Sequence, residues 1–287
     1  MTQPAVNTNL EAPGTGNQDK VREQLRRRRQ IEAIQIFTIR LLFILGLFGL
    51  WEYGSGRWFD TFIFSKPSDI WVRTIEMIVS GELWRHVRAT FVEIGIGYPV
   101  GSILGLATGY IFGRYRFLAK TFEPIIVALY GIPRTAIAPI FIIALGVGIE
   151  SKVAIVILMT FFLTFFNTYS GMRQVDHEFI NLARLMGANE TTVTFRIILP
   201  YISPYVMVGL KTSVPQSVIG ATVGEFIASY EGLGYLIKQA ASLFDPATLF
   251  VAVIVLLVVV LVGNNLLDRI ERWAMRWKPP TELHTDS

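Results

Sequence analysis

Four polar side chains lie inside, or at the ends of, otherwise apolar runs where they could act at membrane depth: Glu93, Arg134, Gln216 and Glu225. A charge in the middle of a bilayer costs at least about 2.5 kcal/mol, so each must meet a partner, a water-filled path or a solute. At about 1.5 Å per residue of straight helix, Arg134 is roughly 18 Å above Phe122 in a hydrocarbon layer about 30 Å thick. On the same count Glu93 lies roughly 9 Å below Val87 at the opposite edge. Similar depth leaves three arrangements open: a structural Glu93–Arg134 ion pair, an Arg134 that contacts an anion in a path, or an arginine that snorkels to the interface. Glu225 has two readings as well, an acid that holds an outer loop or one that takes part in a gate. Gln216, between Pro215 and Ser217, joins these as a path-lining candidate.

A second patterned stretch runs from Gly171 to Pro200 and is amphipathic, with apolar runs on both sides. Asp176 is placed to cap a short helix, Glu178 falls in its first turn, and Gly187 is placed to end it in a left-handed conformation. Phe179, Leu182, Ala183 and Met186 recur at three- and four-residue spacing and gather on one face. Such a face suits either an interfacial helix on lipid headgroups or a knob that docks in a cleft of a soluble partner. A second short helix is expected from about Asn189 to a break at Pro200.

Catalytic chemistry is not indicated. There is no G-x-x-x-x-G-K-[ST] phosphate loop, and the three histidines, His86, His177 and His284, lie in separate segments without H-E-x-x-H spacing. The expectation is therefore a non-enzyme with no cofactor of its own, any ATP being bound by a partner subunit. Zero cysteines exclude disulfides and thiolate metal sites. The net charge of +4 is spread among short connections and is not the footprint of a nucleic-acid partner.

The elements that must position these residues are spans. Hydrophobic residues make up 52% of 287 and charged residues 17%, with a mean hydropathy of +0.47, which indicates an integral membrane protein. Apolar runs at Ile34–Tyr53, His86–Phe112, Phe122–Leu145, Val153–Tyr169, Ile202–Val223 and Ala247–Leu267 predict about six transmembrane helices. Residues 1–30, ending in Arg26 to Arg29, read as a disordered basic tail, 31–278 as the membrane domain and 279–287 as a second tail. Basic residues gather after the second, fourth and sixth spans: Arg114, Arg116 and Lys120; Arg173, Arg184 and Arg196; Arg269, Arg272, Arg276 and Lys278. Positive-inside bias puts both termini and the 171–200 segment in the cytoplasm. Ser68 is a candidate cap for an outer amphipathic helix carrying Ile70, Val72, Ile75, Ile78 and Val79, either a seal for the bundle or a receiving surface.

The second span repeats glycine every fourth residue, at Gly97, Gly101, Gly105, Gly109 and Gly113. That groove is expected to receive another helix backbone. Pro124, Pro133 and Pro139 in the third span, and Pro204 and Pro215 in the fifth, make those two the candidates for lining a path.

Ala183, Gly187 after three intervening residues, and Ile197-Ile198-Leu199-Pro200 after nine more resemble the cytoplasmic loop signature of ATP-binding-cassette importer permeases, EAA, then glycine, then I-x-LP. Only the last member of the EAA triplet matches, since Asn181-Leu182-Ala183 stands there. The resemblance runs from about Trp51 onward and is nearest the nitrate/sulfonate/taurine branch. It includes PSDIWVRTIEMIVSGELWRH (Pro67 to His86), GVGIESKV (Gly146 to Val153), NTYSGMRQVD (Asn167 to Asp176) and EGLGYLI (Glu231 to Ile237).

It implies an all-α, polytopic fold of the type I importer, with a coupling helix between the fourth and fifth spans that carries Glu178, Phe179, Leu182, Ala183, Met186 and Gly187. It also implies cytoplasmic ATPase subunits, an extracytoplasmic substrate-binding protein, a paired permease and a bacterial inner membrane. The solute would be a small anion such as a sulfonate, nitrate or related compound. That family more often has a basic residue where Glu93 stands, so this acid is a departure. A secondary transporter coupled to an ion gradient is the alternative, and it expects inverted repeats and several mid-membrane acids that are not evident here.

Overall fold

The computed structural model describes residues 15–58 and 64–276. The chain forms two units, Met1–Pro67 and Ser68–Ser287. The first unit holds α1 (Thr15–Gly54), so the tail expected to be disordered as far as residue 30 is helical from Thr15. Its Gln-, Glu-, Lys- and Arg-rich stretch is built from good helix formers and extends the apolar helix that follows. Residues 1–14 and the tail 279–287 lie outside the described residues.

The second unit comprises α2 (Pro67–Val79), α3 (Glu82–Arg114), α4 (Arg116–Gly131), α5 (Arg134–Leu145), α6 (Ile149–Arg173), α7 (His177–Leu185), α8 (Glu190–Val193), α9 (Leu199–Ala228), α10 (Leu233–Ser242) and α11 (Pro246–Ala274). α2 begins on Pro67 itself, whose fixed φ and missing N–H suit a first helical position, so Ser68, expected at the cap position, is the second residue of the helix.

The glycine stripe of α3 sets the bundle. A Cβ on Gly101 would stand 2.7 Å from the Ile157 carbonyl, and one on Gly109 would stand 2.7 Å from that of Phe165. Gly97 meets Val156, Gly105 meets Phe161 and Thr164, and Gly113 meets Met172. Backbone therefore lies on backbone, as a small residue at every fourth position allows. Because the register rises together along both chains, α3 and α6 run parallel.

On its other side α6 packs against α9 in the opposite sense. Gly224 approaches Lys152 and Ile155, Gly220 approaches Met159, and Gly209 approaches Asn167. α11 returns antiparallel to α9, with Gly263 against Val214 and Lys211 paired to Asp268 and Glu271.

Parallel packing of α3 and α6 has a topological consequence. α3 ends where α6 ends, so the chain must cross the layer once more between them, and only α4 and α5 are available. They are not the straight span expected from Phe122 to Leu145, because they bend by 93° at Ile132–Pro133. Gly131 ends α4, and Pro133 forces Ile132 into extended backbone at φ −71° and ψ 134°. Pro99, Pro124, Pro139, Pro204 and Pro215 stand inside helices that continue through them.

The packing follows this climb. Ala119 of α4 joins Phe165 and Tyr169, Tyr130 lies tilted beside Phe162 and meets Phe166 edge-on, and Ala138 of α5 joins Ile155 and Met159. Among the described residues, five helices are long and apolar enough to cross a membrane, and counting the bent pair as one span gives six.

The break expected at Pro200 does not occur. From Thr194 to Ile198 the chain makes one π turn and runs on into α9, since the wider turn accommodates a proline that cannot donate to the preceding turn.

Candidate functional site

At one end of the bundle, α7 forms as the sequence predicts. Asp176 Oδ1 accepts from the Glu178 N–H at 2.8 Å, and Gly187 has φ +89°. The Ala188 N–H donates to the Ala183 carbonyl at 3.0 Å and the Gly187 N–H to that of Arg184 at 2.9 Å. This is a Schellman ending, which gives the alanine-to-glycine spacing a physical cause: Ala183 supplies the acceptor and Gly187 the left-handed residue.

The predicted apolar face divides in two. Phe179 and Leu182 are 64% and 55% exposed, and Leu185 and Met186 are 86% and 81% exposed. Ala183 turns the other way and packs, with Ile180, against Met172, Val175, Val193, Ile198 and Ile202. Ala183 is therefore part of the inner face, and Leu185, not predicted, takes its place on the outer one. Glu178 is exposed beside Phe179.

Charged contacts tie this end together. Glu190 of α8 accepts from Arg184 of α7 at 2.8 Å and from Arg114 of α3 at 2.5 Å. Tyr110 and Thr194 share a hydrogen bond of 3.1 Å at the π turn. These contacts connect α7 to α3 through Glu190, and α3 to the π turn that leads into α9.

At the other end, Glu225 is fully buried. It accepts from Thr90 Oγ1 at 2.6 Å and from the Gly234 N–H at 2.6 Å. Thr90 in turn accepts from the Leu233 N–H at 2.9 Å, and His86 Nδ1 accepts from the Gly232 N–H at 3.2 Å. Glycine is required on this loop because Gly232 has φ +110° and a Cβ on Gly234 would lie 3.0 Å from Glu225 Oε2. The EGLG stretch is therefore a backbone strap closed over one carboxylate.

Glu93 is buried beside Glu225, and its ionic partner is Lys152 of α6, Nζ to Oε1 3.8 Å. Lys152 also donates to Ser229 Oγ at 2.9 Å. The Glu93–Arg134 pair does not form. Arg134 begins α5 at the bend, near the level of Phe162, and counting along α6 from Phe162 to Lys152 separates it from Glu93 by about 15 Å. The straight-helix count failed because the bend consumed part of the rise. Arg134 instead lies over Tyr130, 4.8 Å from the ring centre, and its buried Nη1 has no hydrogen-bond partner. Gln216 is half-buried within α9.

The structure therefore brings Glu93 and Glu225 together and leaves Arg134 and Gln216 apart from them. Lys152, Thr90 and His86 were not singled out from sequence. Lys152 stood inside the quoted GVGIESKV segment and, as a lysine beside an apolar run, was the available signal. Beside this cluster opens a cavity of about 710 Å³ whose wall includes Arg85, Arg88, Glu93, Lys152 and Glu231.

Comparison with known proteins accords with this arrangement. Residues 97–276 match the family described as binding-protein-dependent transport system inner membrane component. The formylaminopyrimidine transport permease protein ThiX of Halalkalibacterium halodurans is 31% identical over 237 residues, covering 83% of this chain and 94% of that one. The riboflavin transport system permease protein RibX of Chloroflexus aurantiacus is 32% identical, covering 84% and 88%. The putative aliphatic sulfonates transport permease protein SsuC of Escherichia coli is 28% identical, covering 83% and 91%. Among solved structures, an inward-facing form of the MetNI methionine ABC transporter superposes with a TM-score of 0.59 at 17% identity, covering 67% of this chain and 95% of that one.

With the family matched across the glycine-striped helix, the broken span, the α7 segment and the last span, the chain belongs to the binding-protein-dependent transport system inner membrane components, the non-enzymatic permease subunits of ATP-binding-cassette importers.

Proposed function

We propose that α7 is the coupling helix, docking its exposed Phe179, Leu182, Leu185 and Met186 face in a cleft of a cytoplasmic ATPase subunit. The observation that carries this is the division of the helix: one face is locked to the bundle by Ile180 and Ala183, and the other is bare apolar surface next to ionic ties. Arg114, Arg116, Lys120, Arg173, Arg184, Arg269 and Arg272 lie at the same end, which supports a cytoplasmic orientation for it. Two permease copies would rock between outward- and inward-open states as the ATPases close, with solute delivered by an extracytoplasmic binding protein.

The solute is read as a small anion such as a sulfonate or nitrate, met at the bend by Arg134, whose Nη1 no protein atom satisfies. A second reading has its own support. Arg134 over Tyr130 makes a flat platform suited to a heterocycle, and two relatives are named for formylaminopyrimidine and riboflavin transport.

Reconstituted permease with its ATPase and binding protein, offered labelled alkanesulfonate with unlabelled pyrimidine or flavin as competitor, separates the two. Uptake of sulfonate that Arg134→Gln abolishes is expected. Sulfonate exclusion with heterocycle uptake would replace the anion by the second reading. If Phe179→Asp still co-purifies with the ATPase and keeps full stimulated hydrolysis, α7 is not the docking element.

A further inference from the structure

A second cavity, of about 380 Å³, opens at the α7 end of the bundle where the last turns of α3 and α6 meet the first turns of α4. Its wall includes Phe112, Arg116, Lys120, Glu123, Tyr169 and Arg173. The single acid is already engaged, accepting from Tyr169 Oη at 2.9 Å and pairing with Arg173 at 3.6 Å. Arg116 and Lys120 have no ion pair among the described residues. The pocket thus presents two uncompensated cations, and the amino end of α4 beside them has no side-chain cap. The Glu225 strap lies at the opposite end of the bundle, and the exposed face of α7 contributes no residue to this wall.

We propose that this pocket binds the phosphate of an anionic phospholipid headgroup. Two observations favour a lipid over a soluble phosphate. The rim is aromatic and bare, with Tyr115, Phe117 and Phe122 at 59%, 78% and 42% exposed: Tyr115 is of the type that membrane–water interfaces select, and the two phenylalanines offer apolar surface to acyl chains. Beyond the rim, α4 continues into exposed Ile125 and Leu129, an apolar track along which acyl chains can lie once the headgroup is held. Cationic pockets between helix ends at the headgroup level have the chemistry to hold such lipids. Glu123 engages Tyr169 and Arg173, which leaves Arg116 and Lys120 to meet the ligand phosphate. Both are exposed and removable without opening the core.

The test is native mass spectrometry of the full-length permease in neutral detergent, titrated separately with phosphatidylglycerol and phosphatidylcholine. Retention of phosphatidylglycerol over phosphatidylcholine is expected in the wild type. Each surface cation contributes about fivefold, so the double change Arg116→Gln, Lys120→Gln should weaken phosphatidylglycerol retention about 25-fold. Removing two cations elsewhere at the same end, Arg269→Gln with Arg272→Gln, should leave it unchanged. Equal retention of both lipids by the wild type overturns the proposal without any variant. An equal loss in both double variants overturns it too, by reducing the effect to overall charge. Displacement by inorganic phosphate at matching concentration would show a site for a free anion and reject the lipid.

Discussion

Glu225 shows how one buried carboxylate can organise a loop. It takes Thr90 and the Gly234 N–H as donors, and hydrogen bonds to a charged group are worth about 1.5–3 kcal/mol each. Glu225→Gln is therefore expected to lower the thermal midpoint in detergent while the α7 end still binds the ATPase. An unchanged midpoint with lost transport would move Glu225 from the strap to the gate. Gly234→Ala should also be destabilising, because its methyl would press on Glu225 and the Thr222 carbonyl.

Glu93 and Lys152 form the testable ion pair. Lys152→Gln leaves two adjacent buried carboxylates without their cation and should cost about 3 kcal/mol, Glu93→Gln alone leaves Lys152 facing Glu225 and should cost less, and the double change should recover much of the Lys152→Gln loss. Expression and melting of the three variants check this, and simple additivity would show that the two do not interact. From sequence, Glu93 is recognisable as an acid needing a partner, but of the partners on other helices only Arg134 comes into view, as one of three open arrangements, and Lys152 does not. Charge and depth can be estimated along one chain, while the neighbour that meets the charge belongs to another helix.

At the scale of elements, α7 is a helix whose two faces predict different failures. Leu185→Asp, like Phe179→Asp, places a charge on the outer face, so it should weaken ATPase co-purification while leaving the permease folded. Ala183→Asp places the charge against Ile180 and Val193, so it should reduce folded yield before coupling is affected. Comparable folded yields for Leu185→Asp and Ala183→Asp would contradict this division. Gly187→Val forces a β-branched residue to φ +89°, and misfolding or uncoupling should follow. Along α3, Gly101→Val would drive side-chain atoms into the α6 backbone and separate the two helices, whereas Gly95→Val meets open space. Monodisperse yield on size exclusion should fall for the first and hold for the second. The stripe was readable because four-residue spacing marks one side of a helix, but the identity and parallel sense of the partner helix were not.

For the whole molecule, periodicity and composition already determined an all-helical membrane protein, the approximate spans, the capped helix between the fourth and fifth, and its left-handed stop at Gly187. Those properties follow from interactions within a few residues along the chain: apolar length against bilayer thickness, a side-chain cap, and a glycine where L-residues are strained. Contacts across the bundle decided the rest. Parallel packing of α3 and α6 makes the bent α4–α5 pair one crossing, and its 93° turn places Arg134 over Tyr130, far from Glu93. The same packing brings Lys152 to Glu93 and closes Gly232–Gly234 over Glu225, joining residues up to 146 positions apart. Sequence spacing fixes which way a side chain points from its own helix, but which helix stands opposite depends on how every face is buried at once.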